Sequence, residues 1–168
     1  MPRPGSPGWW AAKVRQARAF GRASVAPRER GALASWLSPA QLALFSSMHV
    51  ADQRHGLDVV AWLRAHGETN DEVLVAGLLH DAGKGDTGFW PRVAFSLSQV
   101  FGGWLARLAM LAPGMRTALV RLADHAAISA ELAAGAGCSP LTVELIRTQD
   151  LPPADETARR FHLADDAS

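Results

Sequence analysis

Tyrosine is absent from this sequence and cysteine occurs once, at Cys138. A single thiol excludes an internal disulfide, a zinc cage of several thiolates and a redox dithiol, and it fits a reducing compartment, so a cytoplasmic protein is expected. A surplus of charge is missing too. The chain has 17 basic and 16 acidic residues, a formal +1, which gives no general reason to expect nucleic acid as a partner. No Gly-x-x-x-x-Gly-Lys phosphate loop occurs, and no serine lies in a Gly-x-Ser-x-Gly turn, which disfavours P-loop and serine-hydrolase chemistry. Long uninterrupted apolar runs are also lacking. Lys13, Arg15 and Arg18 break up the segment after Trp9-Trp10, so no signal-peptide core is read there. The most apolar stretch, Phe89 to Met115, contains Pro91, Arg92, Gly102-Gly103, Arg107 and Pro113-Gly114 and makes a poor membrane span.

What is present is 168 residues with 48% hydrophobic content, enough for one domain with a real core. Abundant Ala and Leu without sustained apolar-polar alternation argue for an all-α chain. Residues 1–38 read as a basic helical extension packed on the domain, and residues 39–168 as the domain itself. The extension has seven basic residues up to Arg30 against Glu29 alone. A touch on a membrane surface or on phosphates is its alternative to a solvated helix that turns its tryptophans inward. Ser38-Pro39 and Ser139-Pro140 predict helices starting at about 39 and 140, the first with Gln41 completing a capping box. Thr69 to Glu72 open an apolar, buried helix over Val73–Leu79. An amphipathic helix carrying His55 runs to about Gly67, another spans about Arg116–Ala134, and Glu156–Asp166 is short and reads as a helix or an ordered tail. Phe89 to Met115 reads as one or two core helices. A lid, a partner surface or a monotopic membrane contact are the alternatives.

The chemistry concentrates where the apolar helix ends, at Leu79-His80-Asp81-Ala82-Gly83-Lys84. A histidine and an aspartate buried there need a partner, and a divalent cation binds both while offsetting the desolvation of the carboxylate. Lys84, on a glycine-flanked turn, could reach a phosphate with Asp86 orienting it, or could simply be solvated.

His55 on one helix, followed by His80-Asp81-Ala82-Gly83-Lys84 after an apolar helix, resembles the HD superfamily of metal-dependent phosphohydrolases over most of residues 40–168. The stretch Ala51-Asp52-Gln53-Arg54-His55 followed by Val59, and later Leu141 to Leu151, is similar to small bacterial HD-domain proteins. The resemblance implies a single HD-like helical bundle in which His55, His80 and Asp81 are metal ligands. It implies a closing aspartate near the end, for which Ala164-Asp165 matches best, with Asp166 as the neighbour and Asp150 as a weaker candidate. His125 stands in order where two-metal relatives place an extra histidine, while Gln149 stands where a second would fall. An amide is a poor ligand, so one divalent ion (Mn, Fe, Mg or Zn) is expected, with any second ion weak or absent. The implied activity is hydrolysis of a small phosphoester, nucleotides among them, with Asp81, Lys84 and Arg54 in catalytic roles and Lys84, His125 and Arg54 toward substrate. The alternative is a noncatalytic HD module that binds a nucleotide or a protein partner in signalling.

Overall fold

The computed structural model describes residues 5–168, apart from the side chains of residues 12–13, 15–19, 99 and 106. Among the described residues every regular element is helical and no strand occurs, so the all-α expectation holds. In chain order the helices are α1 (Pro7–Arg22), α2 (Pro27–Leu33), α3 (Pro39–Ser47), α4 (Val50–Ala65) and α5 (Asp71–Leu79). A short 3-10 turn (Ala82–Lys84) follows, then α6 (Phe89–Phe101), α7 (Gly103–Ala109), α8 (Met115–Ala123), α9 (His125–Gly135), α10 (Pro140–Arg147) and α11 (Glu156–Ala167). No described helix is long and apolar enough to cross a membrane.

Local chemistry sets the boundaries. Ser38 and Ser139 cap α3 and α10 as the sequence predicts, each accepting the backbone N–H three residues on, with proline at the first helical position. Gln41 reaches back to the Ser38 N–H and completes the capping box. Asn70 caps α5, and Asp155 caps α11, which resolves the last segment as a helix. Histidine takes a less usual part at α4, where His49 Nδ1 accepts the Ala51 N–H and the ring stacks on Phe20 at 4.6 Å.

The core is built around α5, whose residues Val73 to Leu79 are all buried. Phe45 from α3, Val59 and Leu63 from α4, Ala130 and Ala133 from α9, Ile146 from α10 and Phe161 from α11 close over it. Tight approaches at two glycines hold this centre together. A Cβ at Gly56 of α4 would lie 2.5 Å from the Leu78 carbonyl of α5, and one at Gly83 would lie 2.3 Å from the His125 carbonyl. Only hydrogen fits at either place, so glycine sets how closely α4 meets α5 and how closely the His80-Asp81 turn meets α9.

Two expectations need correction. The helix expected over 116–134 is two helices, because the ladder breaks at Asp124 before α9 starts at His125. The Phe89–Met115 stretch forms helices but is not core. No described residue of α6 is fully buried, and none of α6–α8 joins the main apolar cluster. The volume around α5 is already filled by α3, α4 and α9–α11, so α6 packs instead on α7 and α8. The extension is likewise mixed: Trp9 is buried and Trp10 is exposed, its ring 6.5 Å from Phe101 of α6.

Candidate metal centre

Five elements bring polar side chains to one point at the C-terminal end of α5. His80 and Asp81 arrive as the apolar helix ends and are only 1% and 2% exposed. The helix end contributes partial negative charge, which favours a cation there. His55 projects from the second turn of α4 and Asp165 from the last helix, 110 residues further on. The His55 Nε2 lies 2.8 Å from Asp165 Oδ1, and His80 Nε2 lies 3.2 Å from the same oxygen. One ligand atom from each of His55, His80 and Asp165 falls within 4.8 Å of the other two. Asp81 flanks this group, with Oδ1 3.5 Å from His80 Nε2 and Oδ2 accepting from Lys84 Nζ at 2.5 Å. His125, at the start of α9, turns its Nε2 to 3.9 Å from Asp81 Oδ1.

The ring tautomers follow from the backbone. His80 Nδ1 donates to the Gly77 carbonyl at 3.0 Å and His125 Nδ1 to the Leu122 carbonyl at 2.9 Å, since a carbonyl can only accept. In a neutral ring the Nε2 lone pair then faces a carboxylate oxygen, a repulsive arrangement unless a proton or a cation lies between. Imidazole nitrogens with fixed far sides and facing carboxylates are the donor set of a divalent-ion site, and these residues fit one.

Without a metal, a proton takes that place. Burial pushes the His80 imidazolium toward deprotonation, but the charges of Asp81 and Asp165 outweigh it and raise its pKa to about 9. Burial also works against the carboxylates, yet His80, together with Lys84 for Asp81 and His55 for Asp165, holds both well below the usual carboxylate range. Burial opposes the charge on Lys84 as well, and Asp81 and Asp52 reverse that and raise it.

The turn carrying His80 and Asp81 is braced from three sides. The Gly83 N–H donates to Ser129 Oγ at 2.7 Å, Arg121 Nε donates to the Gly83 carbonyl at 2.7 Å, and Gln149 Nε2 donates to the His80 carbonyl at 3.0 Å. Gln149, singled out as a departure, thus secures the end of α5. Beneath Lys84 lies a pair that sequence reasoning missed: Arg92 of α6 grips the buried Asp52 through two hydrogen bonds of 2.7 Å. Asp52 sits one turn before His55, and that spacing was the only available signal. In the sequence Arg92 is merely an interruption of an apolar run.

Of the expected site residues, the structure gathers His55, His80, Asp81, Lys84, His125 and Asp165. Asp166 and Asp150 are exposed and lie outside the group. Arg54 is directed elsewhere: it pairs with Glu29 at 2.6 Å and Asp58 at 2.8 Å, because on α4 its side chain faces α2 rather than α5. Beside the braced turn opens a cleft of about 450 Å³ whose walls include Asp86, Thr87, Pro91, Met115, Thr117 and Arg121. Thr87 is buried there, and its hydroxyl has no hydrogen-bond partner. Comparison with protein-family models, curated proteins and solved structures finds no match to this chain.

Proposed function

We propose that this chain is a metal-dependent phosphohydrolase of the HD type, holding one divalent ion on His55, His80, Asp81 and Asp165 and acting on a small phosphoester. The observation that carries this reading is the meeting of His55, His80 and Asp165 from three separate helices, beside a buried Asp81. A divalent ion held there would supply positive charge to a phosphoryl oxygen and ease deprotonation of the attacking water. The chain's own groups have separable tasks. Asp81 accepts a hydrogen bond from the water through Oδ1 while Lys84 fixes Oδ2. Lys84 and His125 offset negative charge developing on the phosphoryl group. The adjacent cleft, with the Arg121 guanidinium and the unpartnered Thr87 hydroxyl, receives the rest of the ester.

A second reading, a noncatalytic module that uses the ion structurally, draws on Gln149. Its amide is committed to the His80 carbonyl in the position where a second-metal histidine was expected. Incubating metal-loaded protein with nucleotides and simple phosphoesters, alongside an Asp81→Ala variant, separates the two. The proposal expects turnover in the parent that the variant lacks. Metal without turnover in either favours the noncatalytic module, and equal turnover in both sinks the assignment of Asp81.

A further inference from the structure

We infer that α1 and α6–α8 form a docking face for an anionic lipid surface, independent of the metal centre. Three observations on this side of the molecule converge.

The first is apolar exposure. Among the described residues, nine of the thirteen exposed large apolar side chains belong to α1 and to residues 89–120. Trp90, Trp104 and Leu111 are 73%, 57% and 81% exposed. α6 reads as an apolar helix, yet the core does not take it in. Soluble monomers rarely leave so much contiguous apolar surface uncovered.

The second is contiguity. Trp10 meets Phe101, Phe20 meets Phe89 at 5.8 Å, and Gly5 approaches Val100. The start of α1 therefore lies by the end of α6 and the end of α1 by the start of α6, an antiparallel pair. α7 and α8 pack on α6, and the aromatic rings of α1 border those of α6.

The third is charge. The helices α1 and α6–α8 hold eight of the chain's 17 basic residues and none of its 16 acidic ones. Arg92 is committed to Asp52 and Arg121 to the Gly83 carbonyl, while Arg22, Arg107 and Arg116 are exposed. Helices that carry arginines, tryptophans and leucines and no acid, with Asp86 and Asp124 exposed at their borders, complement a bilayer with anionic headgroups: the cations meet phosphate and the indoles sit at the headgroup level. A second copy of the same face would bring like charges together, which disfavours self-association as its occupant. No described helix is long enough to cross, so the contact is one of lying on the surface.

The test is flotation of the full chain with phosphatidylglycerol–phosphatidylcholine vesicles and with phosphatidylcholine vesicles. Tryptophan emission and its quenching by brominated lipid are followed in parallel. The expected result is binding to the anionic vesicles that weakens as salt rises, with a blue shift and quenching. A Trp90→Ser/Trp104→Ser/Leu111→Ser variant, altered only at exposed positions, should keep its circular dichroism and lose at least about tenfold in vesicle affinity. Absence of binding to anionic vesicles overturns the proposal, as does binding that the triple variant retains in full. Two results would assign the face to another occupant and overturn the proposal equally: a dimer that the triple variant dissolves without any vesicle binding, or binding of nucleic acid without vesicles.

Discussion

At the scale of single residues, the molecule concentrates its electrostatic stakes in a few buried groups. His80 illustrates the sign of the pH dependence. Its folded pKa of about 9 exceeds the unfolded 6.5, so in metal-free protein its imidazolium adds stability that is complete below about pH 6.5 and is lost as pH rises through about 9. Asp81 and Asp165 are depressed, so their contribution is present above the ordinary 3.8 and is lost as pH falls through their folded values. Chelator-treated protein should therefore show a melting temperature that declines between pH 6.5 and about 9. Protein saturated with a divalent ion, in which the ion replaces the His80 proton, should decline less over the same range. Identical alkaline limbs would count against the shared site. The Asp52–Arg92 pair predicts a different loss. Arg92→Met strands a carboxylate that is 4% exposed and should destabilise by about 3–5 kcal/mol in urea unfolding, whereas Asp52→Leu/Arg92→Met should recover most of it. A single variant no weaker than the double would contradict that account.

At the scale of elements, the two tight glycines link packing to the site. Gly83→Ala would drive a methyl into the backbone of α9, and a cost of about 1–3 kcal/mol or more is expected, because neither the His125 carbonyl nor the Ser129 amide can yield as a flexible side chain would. The same change should weaken metal binding, since Gly83 lies two residues from Asp81. Unchanged stability and metal affinity would show that the turn is not fixed by this contact. Helix starts were legible in the sequence where Ser38, Asn70 and Ser139 carry local capping chemistry, whereas the Asp155 cap of α11 emerges only in the structure. The break at Asp124 was not, since apolar spacing continues across it and the close approach of Gly83 to the His125 carbonyl beside it exists only in three dimensions. His80-Asp81 was visible as polar residues at the end of an oily helix. The bracing by Ser129, Arg121 and Gln149 was not, because contacts between residues 38 to 69 positions apart leave no local pattern. Arg54 misled because adjacency to His55 in sequence says nothing of direction on a helix, where neighbours diverge by about 100°.

At the scale of the whole molecule, two faces divide the labour. The packed side, α3 to α5 with α9 to α11, spends its apolar residues on a core that positions the His55–His80–Asp165 cluster. The other side, α1 with α6 to α8, leaves Trp10, Trp90, Trp104 and Leu108 exposed and carries basic but no acidic residues in its helices. Arg92 joins them, reaching from α6 to Asp52 of α4 while its guanidinium lies over the Phe20 ring of α1 at 5.3 Å. The central claim is that the cluster holds a divalent ion, and elemental analysis of the purified protein tests it most directly. The account predicts one tightly held divalent ion per chain in the parent. It predicts that His55→Ala and Asp165→Ala lose more than the ~10–100-fold in affinity that removing a mere supporting residue costs, with helical content kept. A parent that retains no divalent ion after metal supplementation, or variants that retain as much as the parent, would contradict it.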